Sequence, residues 1–122
     1  MTVFGWLFLG HFVADWLLQN DWMALGKRDS LFTQPGLAHY TIYTAVILSI
    51  FALTAPSYTD FSPLFVVASI VFISHWLIDG TDLAQRWMRC FGQRDQTMVR
   101  VIIDQTFHLL VLGMLATWCI RQ

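Results

Sequence analysis

The sequence predicts an all-α membrane protein: an antiparallel bundle of four transmembrane helices, with short interfacial helices in the first and third linkers. Residues 1–122 make one transmembrane domain. Three observations lead there. The chain is 57% hydrophobic and only 12% charged, against about 25% charged residues in soluble globular chains. A chain this short cannot hide so much apolar surface in its own core, so lipid is the expected solvent. Four apolar segments, about 2–19, 37–55, 63–80 and 98–120, approach the roughly 20 residues that cross a bilayer. Finally, the basic residues of the linkers alternate with the segments as they must in a polytopic protein.

The first segment carries His11 and Asp15 within its apolar run. It has no basic n-region and no small-residue cleavage site, so it reads as a membrane helix rather than a removed signal. The linker "NDWMALGKRDSLFTQPG" is polar and long enough for a short interfacial helix. The second segment starts near His39. "PSYTDFS" is a tight turn punctuated by Pro56 and Pro63. The third segment holds His75 and Asp79. The linker "TDLAQRWMRCFGQRDQT" again has room for a surface helix, and the fourth segment holds Asp104 and His108.

Lys27 and Arg28 stand in the first linker and Arg86, Arg89 and Arg94 in the third, with none in the middle one. Basic loops stay cytoplasmic. The expected placement is therefore the inner membrane, with both termini and the middle turn outside. Trp22 and Trp87 then fall near the inner interface, and Trp6 and Trp118 near the outer one. Net charge is −1, which gives no reason to expect a nucleic-acid partner. Membrane lipids are the expected partners, and a homo-oligomer or larger membrane complex stays open.

All eight acidic residues are Asp, so any carboxylate chemistry rests on Asp. Two segments read His-x-x-x-Asp, "HFVAD" and "HWLID"; the last reads "DQTFH", the same pair reversed. The reversal preserves spatial order. The first and third helices run inward and the fourth runs outward, so each Asp lies one turn nearer the cytoplasm than its His. Positions i and i+4 share a helix face. The expectation is a layer of Asp15, Asp79 and Asp104 beneath a layer of His11, His75 and His108, with His39 joining from below. An ionisable group within a span costs at least a few kcal/mol, so it faces the bundle interior and marks function.

At these residues the chain resembles the domain-of-unknown-function 3307 family, small integral membrane proteins of bacteria and phages. The matching elements are "HFVADWLLQNDWMALGK", "AHY", "HWLID" and "DQTFH", spread over almost the whole chain. The resemblance implies roles for His11, Asp15, Gln19, Lys27, His39, His75, Asp79, Asp104, Gln105 and His108, with Arg86 in the place of a basic residue that follows the third-helix motif. The family name carries no function.

Imidazole and carboxylate together suit Zn, Mn or Fe. His11, Asp15, His39, His75, Asp79, Asp104 and His108 offer up to seven ligands, enough for one or two divalent ions. Gln19 and Gln105 would orient ligands, Lys27 and Arg86 would meet lipid headgroups, and Asp15, Asp79 and Asp104 are the candidate catalytic carboxylates. The plainer alternative is a metal-free hydrogen-bonded network; for Gln19 and Gln105 it is interhelical bonding, and for Lys27 a topology-setting charge. Three function classes follow. One is a metal-dependent hydrolase acting on a lipid or lipid-linked substrate. Another is a proton or metal relay, disfavoured by the apolar outer half. The last is a membrane interaction module with a polar core.

Overall fold

The computed structural model describes residues 1–27, 30–58, 60–94 and 96–120. Arg28, one of the basic residues of the first linker, lies outside the described residues. Among the described residues six α-helices follow in order: α1 (Val3–Phe12), prolonged by a π-helical turn (Val13–Leu17), α2 (Asp21–Gly26), α3 (Gln34–Thr54), α4 (Phe61–Gly80), α5 (Leu83–Cys90) and α6 (Thr97–Ile120). A short 3-10 turn, Pro56–Tyr58, links α3 and α4. No strand occurs among the described residues, so the all-α class stands.

Local chemistry sets the helix starts. The Thr2 hydroxyl accepts from Gly5 N–H at 3.1 Å. Asn20 Oδ1 accepts from Met23 N–H at 3.0 Å, and the Thr33 hydroxyl from Gly36 N–H at 3.1 Å. Each satisfies a first-turn donor. Pro35 occupies the first turn of α3, where its missing N–H costs nothing. This cap starts α3 at Gln34, so His39 stands more than a turn inside the helix rather than at its beginning.

Among the described residues three helices, Gln34–Thr54, Phe61–Gly80 and α6 as far as Cys119, are long and apolar enough to cross a membrane. The first apolar segment is shorter, with ten α-helical residues followed by five π-helical ones. Its wide turn is closed by Leu18 N–H donating to the Val13 carbonyl at 2.9 Å, an i→i+5 bond. There Ala14 and Asp15 are buried while Val13, Trp16 and Leu17 stay exposed.

α1 and α4 each pack against both α3 and α6. Neighbours run antiparallel. Asp15 meets His39 and His11 meets Tyr43 across α1 and α3, while Asp82 meets Arg100 and His75 meets His108 at the α4–α6 end. The half of the bundle away from the His/Asp pairs is an apolar core that includes Leu7, Ile47, Phe51, Val67, Leu112 and Leu115. Outside, Phe65, Ile70, Ile73, Leu110 and Met114 are exposed. A belt of large apolar side chains around long helices is a surface built for lipid.

The two longer linkers hold α2 and α5. Gly26 at the end of α2 lies so close to α3 that a Cβ there would fall 2.4 Å from the Pro35 ring. That approach brings Lys27 under the bundle. α5 buries Ala84 and Met88 and exposes Arg86 and Arg89, with Trp87 stacked on Phe91 at 4.5 Å.

Candidate metal centre

The site lies where the ends of α1 and α4 meet the starts of α3 and α6. Asp15, His39, His75, Asp79 and His108 are all buried. Asp15 Oδ1 is 3.1 Å from His39 Nε2 and 3.8 Å from His75 Nε2. Asp79 Oδ2 is 3.5 Å from each of the same two nitrogens. The two Nε2 atoms are 2.9 Å apart. Two carboxylate oxygens and two imidazole nitrogens thus converge from α1, α3 and α4. Such a buried group can hold a metal ion; a second group, Asp15, Asp104 and His108, adjoins it.

His108 has its ring orientation fixed. Its Nδ1 donates to the Asp104 backbone carbonyl at 2.9 Å. In a neutral ring the other nitrogen, Nε2, presents a lone pair, as a ligand imidazole does when a carbonyl holds its far side. It faces Asp79 Oδ1 at 3.5 Å and has no hydrogen-bond partner among the described residues.

His11 is buried beside His108, as its motif suggests, but its two nitrogens have other partners. Its Nε2 lies 2.7 Å from Gln105 Oε1 and its Nδ1 lies 2.9 Å from the Tyr43 hydroxyl. An amide oxygen only accepts, so Nε2 carries a proton and Nδ1 takes the Tyr43 O–H. No lone pair is left for a metal. His11 supports the site, and it falls outside both ligand-capable groups of the described residues. The expected His11/His75/His108 layer forms, with the rings of His11 and His108 5.3 Å apart and those of His75 and His108 4.5 Å apart, but Tyr43 and Gln105 take both nitrogens of His11, and His39 brings the nitrogen that meets His75.

Gln105 is a hub. Its Nε2 donates to Asp15 Oδ2 at 3.0 Å and to Asp104 Oδ2 at 3.3 Å, while its Oε1 also accepts from Trp16 Nε1 at 3.3 Å. Gln19 lines the same wall, with a buried Oε1 that has no partner among the described residues. Lys27 is only 8% exposed. Its ammonium sits 2.5 Å from Asp79 Oδ2 and 3.4 Å from His39 Nε2. It is the internal counterion of the cluster. Arg86 is elsewhere: exposed on α5, its Nε donates to the Thr81 carbonyl at 2.8 Å. The basic side chain nearer the site is Arg100, paired with Asp82 at 2.5 Å.

Asp104 differs from the other two carboxylates. Its side chain is 29% exposed, against 3% for Asp79. Two cavities meet at Asp104 and Lys27. One, of about 260 Å³, runs past Asp79, Asp82 and Arg100. The other, of about 240 Å³, runs past Asp15, Trp16, Gln19 and Gln105.

Sequence reasoning missed Tyr43, which stacks on His75 at 3.8 Å and 20° as well as bonding His11. The signal was present: Tyr43 stands four residues after His39 and shares its helix face.

No curated protein and no solved structure matches the chain. Residues 3–122 match the family described as Protein of unknown function (DUF3307), and with the match running the length of the chain the protein belongs to that family.

Proposed function

We propose that the protein is a membrane-embedded, metal-dependent hydrolase acting on a lipid or lipid-linked substrate. The observation that carries the metal is the spacing of four ligand atoms. A tetrahedral ion with bonds of about 2.0 Å keeps its ligands about 3.3 Å apart. The nitrogen–nitrogen and nitrogen–oxygen separations among Asp15 Oδ1, His39 Nε2, His75 Nε2 and Asp79 Oδ2 run from 2.9 to 3.8 Å. Charge agrees. Asp15, Asp79 and Asp104 against Lys27 leave two negative charges beside neutral imidazoles, which one divalent cation balances. Zn, Mn or Fe suits this donor set, with His108 and Asp104 able to serve a second ion.

A divalent ion held by Asp15, His39, His75 and Asp79 would supply a strong oxygen nucleophile near neutral pH. Asp104, open to both cavities, takes the proton from the attacking water and returns it to the leaving group. Asp15 and Asp79 hold charge at the centre. Gln105 orients Asp15 and Asp104, and Lys27 and Arg100 favour an anionic headgroup. Read with the basic linkers inside, the centre lies near the inner leaflet, level with the boundary between headgroup and acyl chain.

The protein purified without chelator is expected to carry about one equivalent of Zn, Mn or Fe by elemental analysis. Retention should fall below about pH 6, since imidazole, with an ordinary pKa of about 6.5, must lose its proton to bind. A metal-free preparation whose melting temperature ignores all three ions at neutral pH overturns the metal. One observation favours a second reading, a polar core that only fixes the fold: the Lys27–Asp79 pair at 2.5 Å already supplies Asp79 with a cation.

Orientation has its own test. Cys90 is exposed at the end of α5. A membrane-impermeant maleimide applied to intact cells should leave it unlabelled until the membrane is opened. Rapid labelling from outside reverses the topology and moves the centre to the other leaflet.

A further inference from the structure

The seam between α1 and α6 carries an observation that the metal centre does not use. Phe4, Phe8, Phe12 and Trp16 repeat every four residues along one face of α1 and its π-helical turn. Their ring centroids step by 6.2, 4.9 and 6.2 Å. At one end of this ladder, Phe4 and the α6 residues Leu109, Leu110, Gly113, Met114 and Trp118 line an apolar groove of about 530 Å³. At the other end, Trp16 lines the 240 Å³ cavity that holds Asp15, Gln19, Asp104 and Gln105. The aromatic ladder joins an apolar groove to the polar site.

The geometry points to this seam as the track for one acyl chain of the lipid substrate, with the headgroup at Asp104 and the chain running along the ladder to Gly113. The inference rests on the lipid-hydrolase reading and adds where that lipid lies. Three features fit an amphiphile and no other occupant as well. The apolar end has one hydroxyl, Thr117, and it already donates to the Gly113 carbonyl at 2.7 Å. The polar end has an amide oxygen, Gln19 Oε1, without a partner among the described residues, and the partly exposed Asp104. The distance also suits a single leaflet. Gly113 stands nine residues beyond Asp104, about 14 Å along a helix, and half of the roughly 30 Å hydrocarbon core is about 15 Å. Gly113 keeps the groove open: a Cβ there would touch the Phe4 ring at 3.7 Å, and a larger side chain would fill the space between the helices.

The test uses the full chain in mixed phosphatidylcholine–phosphatidylglycerol nanodiscs, with a diazirine near the end of one phosphatidylglycerol chain and crosslinks mapped by mass spectrometry. Labelling should concentrate on Phe4, Leu109 and Gly113 over Ile70 and Ile73, which are lipid-exposed on α4. Gly113→Phe should reduce groove labelling roughly tenfold, the change that about 1.4 kcal/mol makes, and leave Ile70 and Ile73 unchanged. Gly113→Leu, a smaller intrusion, should give a partial loss and guards against a misfolded Phe variant. Even labelling of both faces, indifference to both substitutions, or crosslinks between two copies at the groove overturns the track. Metal content measured on the same samples separates the two readings. Groove labelling without metal sinks the hydrolase and leaves the track, whereas metal with even labelling sinks the track alone.

Discussion

Asp79→Asn is expected to strip the centre of metal. Asp79 is the most connected carboxylate of the cluster: Oδ2 meets Lys27, His39 and His75, and Oδ1 faces His108. An amide keeps the shape and removes the charge. Loss of groups that merely orient metal ligands typically costs 10–100-fold in affinity, so loss of a direct ligand should exceed about 100-fold. The same change leaves the buried Lys27 ammonium unpaired, at a cost of about 3–5 kcal/mol. Metal titration and thermal unfolding of Asp79→Asn, alone and combined with Lys27→Met, separate the two effects. The double variant should recover stability and still lack metal. If Asp79→Asn retains a full equivalent of ion, Asp79 is not a ligand and the tetrahedral arrangement is wrong.

Lys27→Met should give the opposite pattern. Without metal, Asp79 loses its only close ammonium and the protein should lose about 3 kcal/mol of stability, as buried pairs do when one partner is removed. With Zn present the loss should disappear, because the ion then supplies the missing positive charge. Zn should therefore raise the melting temperature of the variant more than that of the parent, and bind it more tightly, since no ammonium competes for Asp79 Oδ2. Equal Zn shifts in the two proteins would mean that Lys27 and the ion do not share a site. A network that never binds metal predicts instability that Zn leaves unrepaired.

The pair of experiments bears on the one residue where sequence and structure diverge most in meaning. As a sequence, Lys27 belongs to a basic linker, and its reading as a headgroup contact or a topology charge follows from its neighbours. Its burial depends on Gly26 closing onto Pro35, a contact between α2 and α3 that no periodicity announces. Arg86 shows the reverse. A basic residue stands near the motif in sequence, yet α5 turns it outward to the Thr81 carbonyl, and Arg100 takes the position beside the cavity.

Composition and spacing alone determined the solvent and the inward face. A chain with this share of apolar residues and this few charges has to meet lipid, and a His and an Asp four residues apart on a helix have to share a side. The reversed order in "DQTFH" follows from the antiparallel course of α6. Those facts are local or additive, so they survive in one dimension. Only the tertiary structure decided which nitrogen faces which oxygen. His11 and His75 stand in the same motif, but Tyr43 and Gln105 consume both nitrogens of one, while His39 and Asp79 meet Nε2 of the other. It also decided that Asp104 stays partly open while Asp79 closes. Such choices depend on the rotation of each helix about its axis and on the π-helical turn that buries Asp15, and both are set by packing between segments far apart in the chain.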